Sequence, residues 1–165
     1  MRDLLNQIQM ALNLNLYYLS LFVSLSIPDI CGAIESENGK AKKAKYINWF
    51  NKYIAPKYDD ILTGEDCWYF RCSLLHQGSS QHQKSTFSRV LFIEPLSTTN
   101  IIHSSIANDA LIIDVRIFCT DIIEGALDWL RQNEETELYE RNYDKFMRRY
   151  PQGLLPYIGG VPVIS

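Results

Sequence analysis

An arginine and a histidine close together, Arg71 and His76, have the clearest capacity for chemistry in this chain. Arginine is a planar cation at any physiological pH and suits anionic oxygens, whereas histidine exchanges a proton near neutrality. Cys72 and His76 are four apart, so on a helix they face the same way and could offer two zinc ligands or a thiol beside a base. No second Cys/His pair with ligand spacing accompanies them, since Cys31, His82, His103 and Cys119 are scattered. Nor is there a residue that would orient a nucleophile, a Gly-rich phosphate loop, an HExxH, a paired CxxC or a GxSxG. The expectation is no metal and no cofactor, with Arg71 and His76 as the candidate catalytic pair.

These residues need a helix to hold them. Glu65 to Gly78 reads as one, with an acidic first turn at Glu65 and Asp66, apolar Trp68, Phe70, Cys72 and Leu75, and Gly78 as the stop. Five residues on an ideal helix correspond to about 140° of rotation, so Arg71 and His76 do not share a face. A site built from both sits at a helix end or draws on a second chain. The competing structural roles are an ion pair of Arg71 with Glu65, Asp66 or Asp29, and capping of the last carbonyls by His76 near Gly78.

The surrounding chain reads as mainly α, a bundle of about five helices. Leu5, Ile8, Leu12, Leu16, Leu19 and Val23 form a helical stripe, and Ser26-Ile27-Pro28-Asp29 is a helix-start signal. A further helix spans roughly Lys40 to Ala55. Lys40, Lys42, Lys43 and Lys45 crowd its first turns, which reads as a solvated face with an anion site as the alternative. The runs Arg89 to Ile93 and Asn100 to Ser104, separated by Pro95-Leu96-Ser97-Thr98-Thr99, suggest a small antiparallel hairpin at about 89–104, which a strand near Leu111 to Ile113 could join. Helices over Asp114 to Arg131 and Glu134 to Tyr150 follow. The tail, 152–165, holds Gly153, Pro156, Gly159, Gly160 and Pro162 and is expected to lie extended over the domain surface or a neighbouring subunit.

With 165 residues, 47% hydrophobic, the chain can bury one sizeable core, so 1–151 reads as a single domain followed by the tail. A net charge of −3 argues against a broad nucleic-acid stripe but leaves room for a local phosphate site. Four cysteines without paired spacing fit a reduced, cytoplasmic compartment. Leu16 to Ile27 is apolar, yet Asn and Ser residues interrupt or border it and it is short for a bilayer, so it reads as a core helix with no membrane contact.

The phrase Arg71-Cys72-Ser73-Leu74-Leu75-His76-Gln77-Gly78 resembles the Arg-x(4–6)-His motif of the HEPN superfamily (higher eukaryotes and prokaryotes nucleotide-binding domains). The likeness covers Glu65 to Ser80, more loosely Met1 to Gln77. It implies an HEPN-like helical bundle that acts as a homodimer, with the two motifs meeting in a shared cleft. It also implies a metal-independent endoribonuclease or RNA-binding protein, related to bacterial toxins or defence and paired with an antitoxin or other partner protein. In such a site His76 would take the proton of a ribose 2′-OH attacking the adjacent phosphate, and Arg71 would stabilise the charge that builds on the phosphoryl oxygens. Active members usually carry Asn, Asp or His directly after the arginine, where this chain has Cys72. That departure keeps a second reading open, a catalytically inactive HEPN-like module that binds a nucleotide or a protein. A third is an assembly protein that docks through the apolar segment Leu154 to Ile164.

Overall fold

Asparagine, not proline, sets the first boundary. In the computed structural model, which describes residues 1–95 and 100–165, α1 (Arg2–Asn13) buries Leu5, Ile8 and Leu12. It closes where Asn15 turns left-handed at φ 58° and the Leu16 amide donates to the Ala11 carbonyl at 2.8 Å, a conformation asparagine tolerates better than most residues. The expected stripe from Leu5 to Val23 is therefore broken. Leu16 and Leu19 are exposed, and α2 (Tyr17–Ile34) instead turns Ser20, Leu21, Ser24 and Leu25 inward. Pro28 lies inside α2 rather than at a helix start. Proline there removes one amide donor, but Leu25, Ile27, Cys31 and Ile34 are all buried around it, and such burial is what sustains helices in proteins.

Next come α3 (Lys43–Tyr53), a 3-10 turn over Ala55–Tyr58 that places Pro56 in its first turn, and α4 (Gly64–Gln77). After the sheet, α5 (Val115–Asn133) begins at Asp114, whose Oδ1 accepts from the amides of Arg116 and Ile117 at 2.8 and 3.0 Å. The last helix, α6 (Glu137–Tyr143), stops well short of the expected Tyr150. The chain beyond it is already committed to strand pairing, because Arg148 and Ser165 exchange two backbone hydrogen bonds at 2.8 and 3.0 Å. The Asn142 amide group donates to the carbonyls of Ile34 and Ser36, both at 2.8 Å, and so ties α6 to the end of α2.

The β structure differs from the expected hairpin over 89–104. β1 (Arg89–Ile93) pairs in parallel with β3 (Ala110–Asp114), and β2 (Ser105–Ala107) pairs antiparallel with β3, giving the order β1-β3-β2. The true hairpin joins β2 to β3 through Asn108 and Asp109, with φ of 48° and 62°, the residue types and conformation of a tight two-residue turn. Among 100–104 no residue is in a strand, and the expected turn residues Leu96 to Thr99 lie outside the described residues. The strand near Leu111 to Ile113 does join the sheet. Phe92 on β1 meets Phe70 of α4 and Phe118 of α5, with ring centroids 5.5 and 5.4 Å apart, so the sheet seals one side of the helical core. Trp129, Tyr46, Tyr58, Phe50 and Phe118 are the largest fully buried side chains in that core.

Residues 148–165 form an irregular hairpin of two short ladders, β4 (Arg149–Tyr150) with β7 (Val163–Ile164) and β5 (Gly153–Leu154) with β6 (Ile158–Gly159). The tail thus pairs with itself rather than running as one extended segment over the bundle. By length and composition α2 could cross a membrane, with a mean hydropathy of 1.4, yet half of it is buried inside the protein.

Candidate functional site

Helix α4 carries the site, and its start is fixed from three sides. Thr63 caps it, its Oγ1 accepting from the Asp66 amide at 3.2 Å and donating to Asp66 Oδ2 at 2.6 Å. The other Asp66 oxygen accepts from the Thr86 amide at 2.8 Å and holds the 79–88 loop against the helix. Gly64 donates its amide to Asn51 Oδ1 at 2.7 Å and sits so close to α3 that an added Cβ would lie 2.6 Å from the Ile47 carbonyl oxygen. Along the buried face, Tyr46 packs edge-on to Trp68 at 5.2 Å and shares a hydrogen bond with Cys67 Sγ at 3.4 Å. Burial pushes the Cys67 thiol up to about 12 and the Tyr46 hydroxyl well above its ordinary value, so both stay neutral packing groups.

At the other end Gly78 adopts φ 65°, and the amides of Gly78 and Ser79 close on the carbonyls of Leu74 and Ser73 at 3.0 and 3.1 Å. The backbone satisfies those carbonyls. His76 is thereby left free of the capping role and stands exposed.

Arg71 reaches two partners. Its Nη2 lies 2.5 Å from Asp29 Oδ2 of α2, and its Nη1 lies 3.3 Å from His76 Nε2. Of the three acids expected to compete for Arg71, Asp29 is the partner, brought there because α2 continues through Pro28. The long guanidinium arm also spans the rotation that separates Arg71 from His76, so the two meet within one subunit. The guanidinium carbon lies 5.2 Å from the centre of the Trp68 ring, a cation–π contact that further orients it. Burial raises the Asp29 carboxyl above its ordinary value, and the attraction of Arg71 offsets only part of that rise. Chemically, the arrangement is a cation held between a buried carboxylate and an open imidazole. It can hold an anionic oxygen beside a group able to move a proton.

Cys72 is half-buried, with its sulfur 3.9 Å from Arg71 Nη1. Among the described residues no three His, Cys, Asp or Glu side chains converge as metal ligands would. His82 stacks on Tyr69 with ring centroids 4.5 Å apart, and His103 belongs to the sheet region, where its Nδ1 accepts from the Asp114 amide at 3.3 Å. Of the lysine cluster, Lys43 is tied down across the α3–α4 groove, donating to Glu65 Oε1 at 2.7 Å and to the Tyr69 hydroxyl at 2.8 Å. A polar cleft of about 730 Å³ opens beside the 79–88 loop, walled by Ser73 and Gln77 of α4 rather than by Arg71 or His76. The stacked His82 was not legible as a neighbour of Tyr69, because loop residues carry no periodicity that would place them.

No protein-family model, curated protein or solved structure matches the chain significantly.

Proposed function

We propose that the chain is an HEPN-like endoribonuclease or RNA-binding protein that needs no metal and acts as a homodimer. Cellular RNA is its target and the cytoplasm its compartment. The observation that carries this reading is the 3.3 Å approach of Arg71 Nη1 to His76 Nε2 at an exposed helix end. Phosphoryl oxygens would draw the Arg71 guanidinium off His76 Nε2, which frees that nitrogen to accept the 2′-OH proton while Arg71 holds the oxygens as their charge builds. In-line attack of the 2′-oxygen on phosphorus breaks the bond to the 5′-oxygen. The products would be a 2′,3′-cyclic phosphate and a 5′-hydroxyl, the latter protonated by the histidine or by water. Asp29 would orient the guanidinium. A role as a toxin or defence component, restrained by an antitoxin or another partner protein, follows from the HEPN likeness alone.

A second reading, a catalytically inactive HEPN-like module that binds a nucleotide or a protein, draws on a specific observation. Asp29 at 2.5 Å already neutralises much of the charge that a phosphate would meet on Arg71. Cys72 occupies the position where active members usually carry a polar side chain. Incubation of the full chain with single-stranded RNA and chelator separates the readings. The nuclease reading expects cleavage that both Arg71→Ala and His76→Ala slow by about 100-fold or more, and the inactive module expects intact RNA throughout.

A further inference from the structure

Asn142 leaves one atom of its buried side chain unused. The residue is 4% exposed, and its Nδ2 donates to the carbonyls of Ile34 and Ser36, both at 2.8 Å. Two carbonyl partners fix which end of the amide is nitrogen, so Oδ1 is the end that remains, buried and without a hydrogen-bond partner. A buried acceptor of this kind costs stability until a donor reaches it. The point at which a Cβ on Gly39 would sit lies 3.1 Å from this Oδ1 and 3.8 Å from Lys145 Nζ. Glycine, at φ 67°, puts no side chain there.

Gly39, Asn142 and Lys145 form the polar end of a cleft of about 360 Å³. The rest of its wall is apolar, made by Leu4 of α1, Ile30, Ala33 and Ile34 of α2, and Phe146 and Met147 after α6. Among the described residues that line it, none is acidic. We propose that this cleft binds a medium-chain carboxylic acid that carries a hydroxyl or amide N–H next to its carboxylate. The hydrocarbon part lies along the apolar wall, the neutral donor reaches Asn142 Oδ1, and the carboxylate pairs with Lys145. A plain hydrocarbon would leave Oδ1 unpaired, an ammonium donor would face the Lys145 cation, and a ligand rich in phosphate would find a single cation on an apolar wall. The volume admits about 15 non-hydrogen atoms at protein packing density, which suits a small molecule and not the surface of a folded partner. Lys145 is exposed, and its flexible stem can move aside as the polar end enters. A ligand held there touches α1, α2 and the segment after α6 at once.

The site uses none of Arg71, His76 or Asp29, and its test reads heat rather than RNA, so it stands or falls apart from the nuclease reading. Titration calorimetry on the full chain with 3-hydroxydecanoate is expected to show saturable binding of one molecule per chain. Decanoate lacks the neutral donor and decanol lacks the carboxylate, and each is expected to bind about tenfold more weakly or worse. Lys145→Gln is expected to weaken 3-hydroxydecanoate about tenfold while leaving decanol unchanged, and Ala33→Trp, which fills the cleft, to abolish binding of all three. Lys145→Gln alters an exposed side chain, so it keeps the fold even if Ala33→Trp does not. The side-chain amide signals of Asn142 in proton–nitrogen correlation spectra are expected to move as 3-hydroxydecanoate is added. Absence of saturable binding up to about 1 mM 3-hydroxydecanoate overturns the proposal. Equal affinity for the three probes also overturns it and reduces the cleft to an unspecific apolar hollow. Binding that both variants leave unchanged overturns it as well, and puts the ligand elsewhere on the chain.

Discussion

Arg71 Nη2 and Asp29 Oδ2 lie 2.5 Å apart, so the cation of α4 is anchored on α2 before any ligand arrives. The pair is largely buried, with side-chain exposures of 19% and 11%. It therefore shapes both the stability of the site and the charge the site presents.

Replacement of Arg71 should expose that coupling through pH. The Asp29 carboxyl is raised chiefly by burial. A raised carboxyl pKa means the folded chain binds the proton more readily than the unfolded one. Ionised Asp29 thus opposes folding at neutral pH, and the cost fades as pH falls through the raised value toward the unfolded one. Loss of the guanidinium enlarges the cost. Arg71→Leu is expected to lose about 1–3 kcal/mol near neutral pH, less than a fully enclosed pair would, since some water contact remains. Denaturant titrations should show the deficit against wild type shrinking as the pH is lowered toward the ordinary carboxylate range, the direction linkage requires. A deficit that does not change with pH would contradict the assignment.

The two glycines that bound α4 should respond differently to the same substitutions. At Gly78 the cost of a side chain is its φ of 65° alone, since nothing lies within 4 Å of an added Cβ. Gly78→Ala is expected to lose about 1–2 kcal/mol, the penalty of left-handed backbone, and Gly78→Asn to recover much of it. At Gly64 the added atom would meet the Ile47 carbonyl oxygen at 2.6 Å and its Cα at 2.9 Å. Because backbone cannot rotate away, Gly64→Ala is expected to lose about 1–3 kcal/mol or more, and Gly64→Asn to recover nothing. Thermal midpoints of the four variants check this.

His103 supplies a pH dependence of the opposite sign. Burial lowers its pKa, with Asp121 and Asp114 opposing, and its Nδ1 must be unprotonated to accept from the Asp114 amide. The unfolded chain therefore binds this proton more readily. The stability contributed by neutral His103 is present above the unfolded value of about 6.5 and is lost as pH falls through it toward the depressed folded value. Wild type is expected to lose more stability between about pH 7.5 and about pH 5.5 than His103→Gln does, measured as the shift in denaturant midpoint. Equal losses would place the titrating group elsewhere.

Local signals were legible where one residue type decided the outcome. Gly78 ended α4, the acidic Glu65 and Asp66 opened it, and Asp29 stood among the named partners of Arg71. What failed depended on tertiary context. Pro28 reads as a boundary until the burial of Ile27, Cys31 and Ile34 carries the helix past it, and Asn15 hides its left-handed turn inside an otherwise continuous apolar stripe. The parallel pairing of β1 with β3 joins strands whose contact is non-local, so nearest-neighbour reading favoured a simple hairpin instead. The helical spacing of Arg71 and His76 also concealed their contact, because rotation about the axis ignores the length of an arginine side chain.

The most direct test is the fate of single-stranded RNA incubated with the purified full chain in excess chelator, compared with His76→Ala. Wild type is expected to cleave and leave 2′,3′-cyclic phosphate and 5′-hydroxyl ends, and His76→Ala to be slower by about 100-fold or more, the usual loss when a general base is removed. An identical RNA pattern from the two proteins would contradict the nuclease assignment.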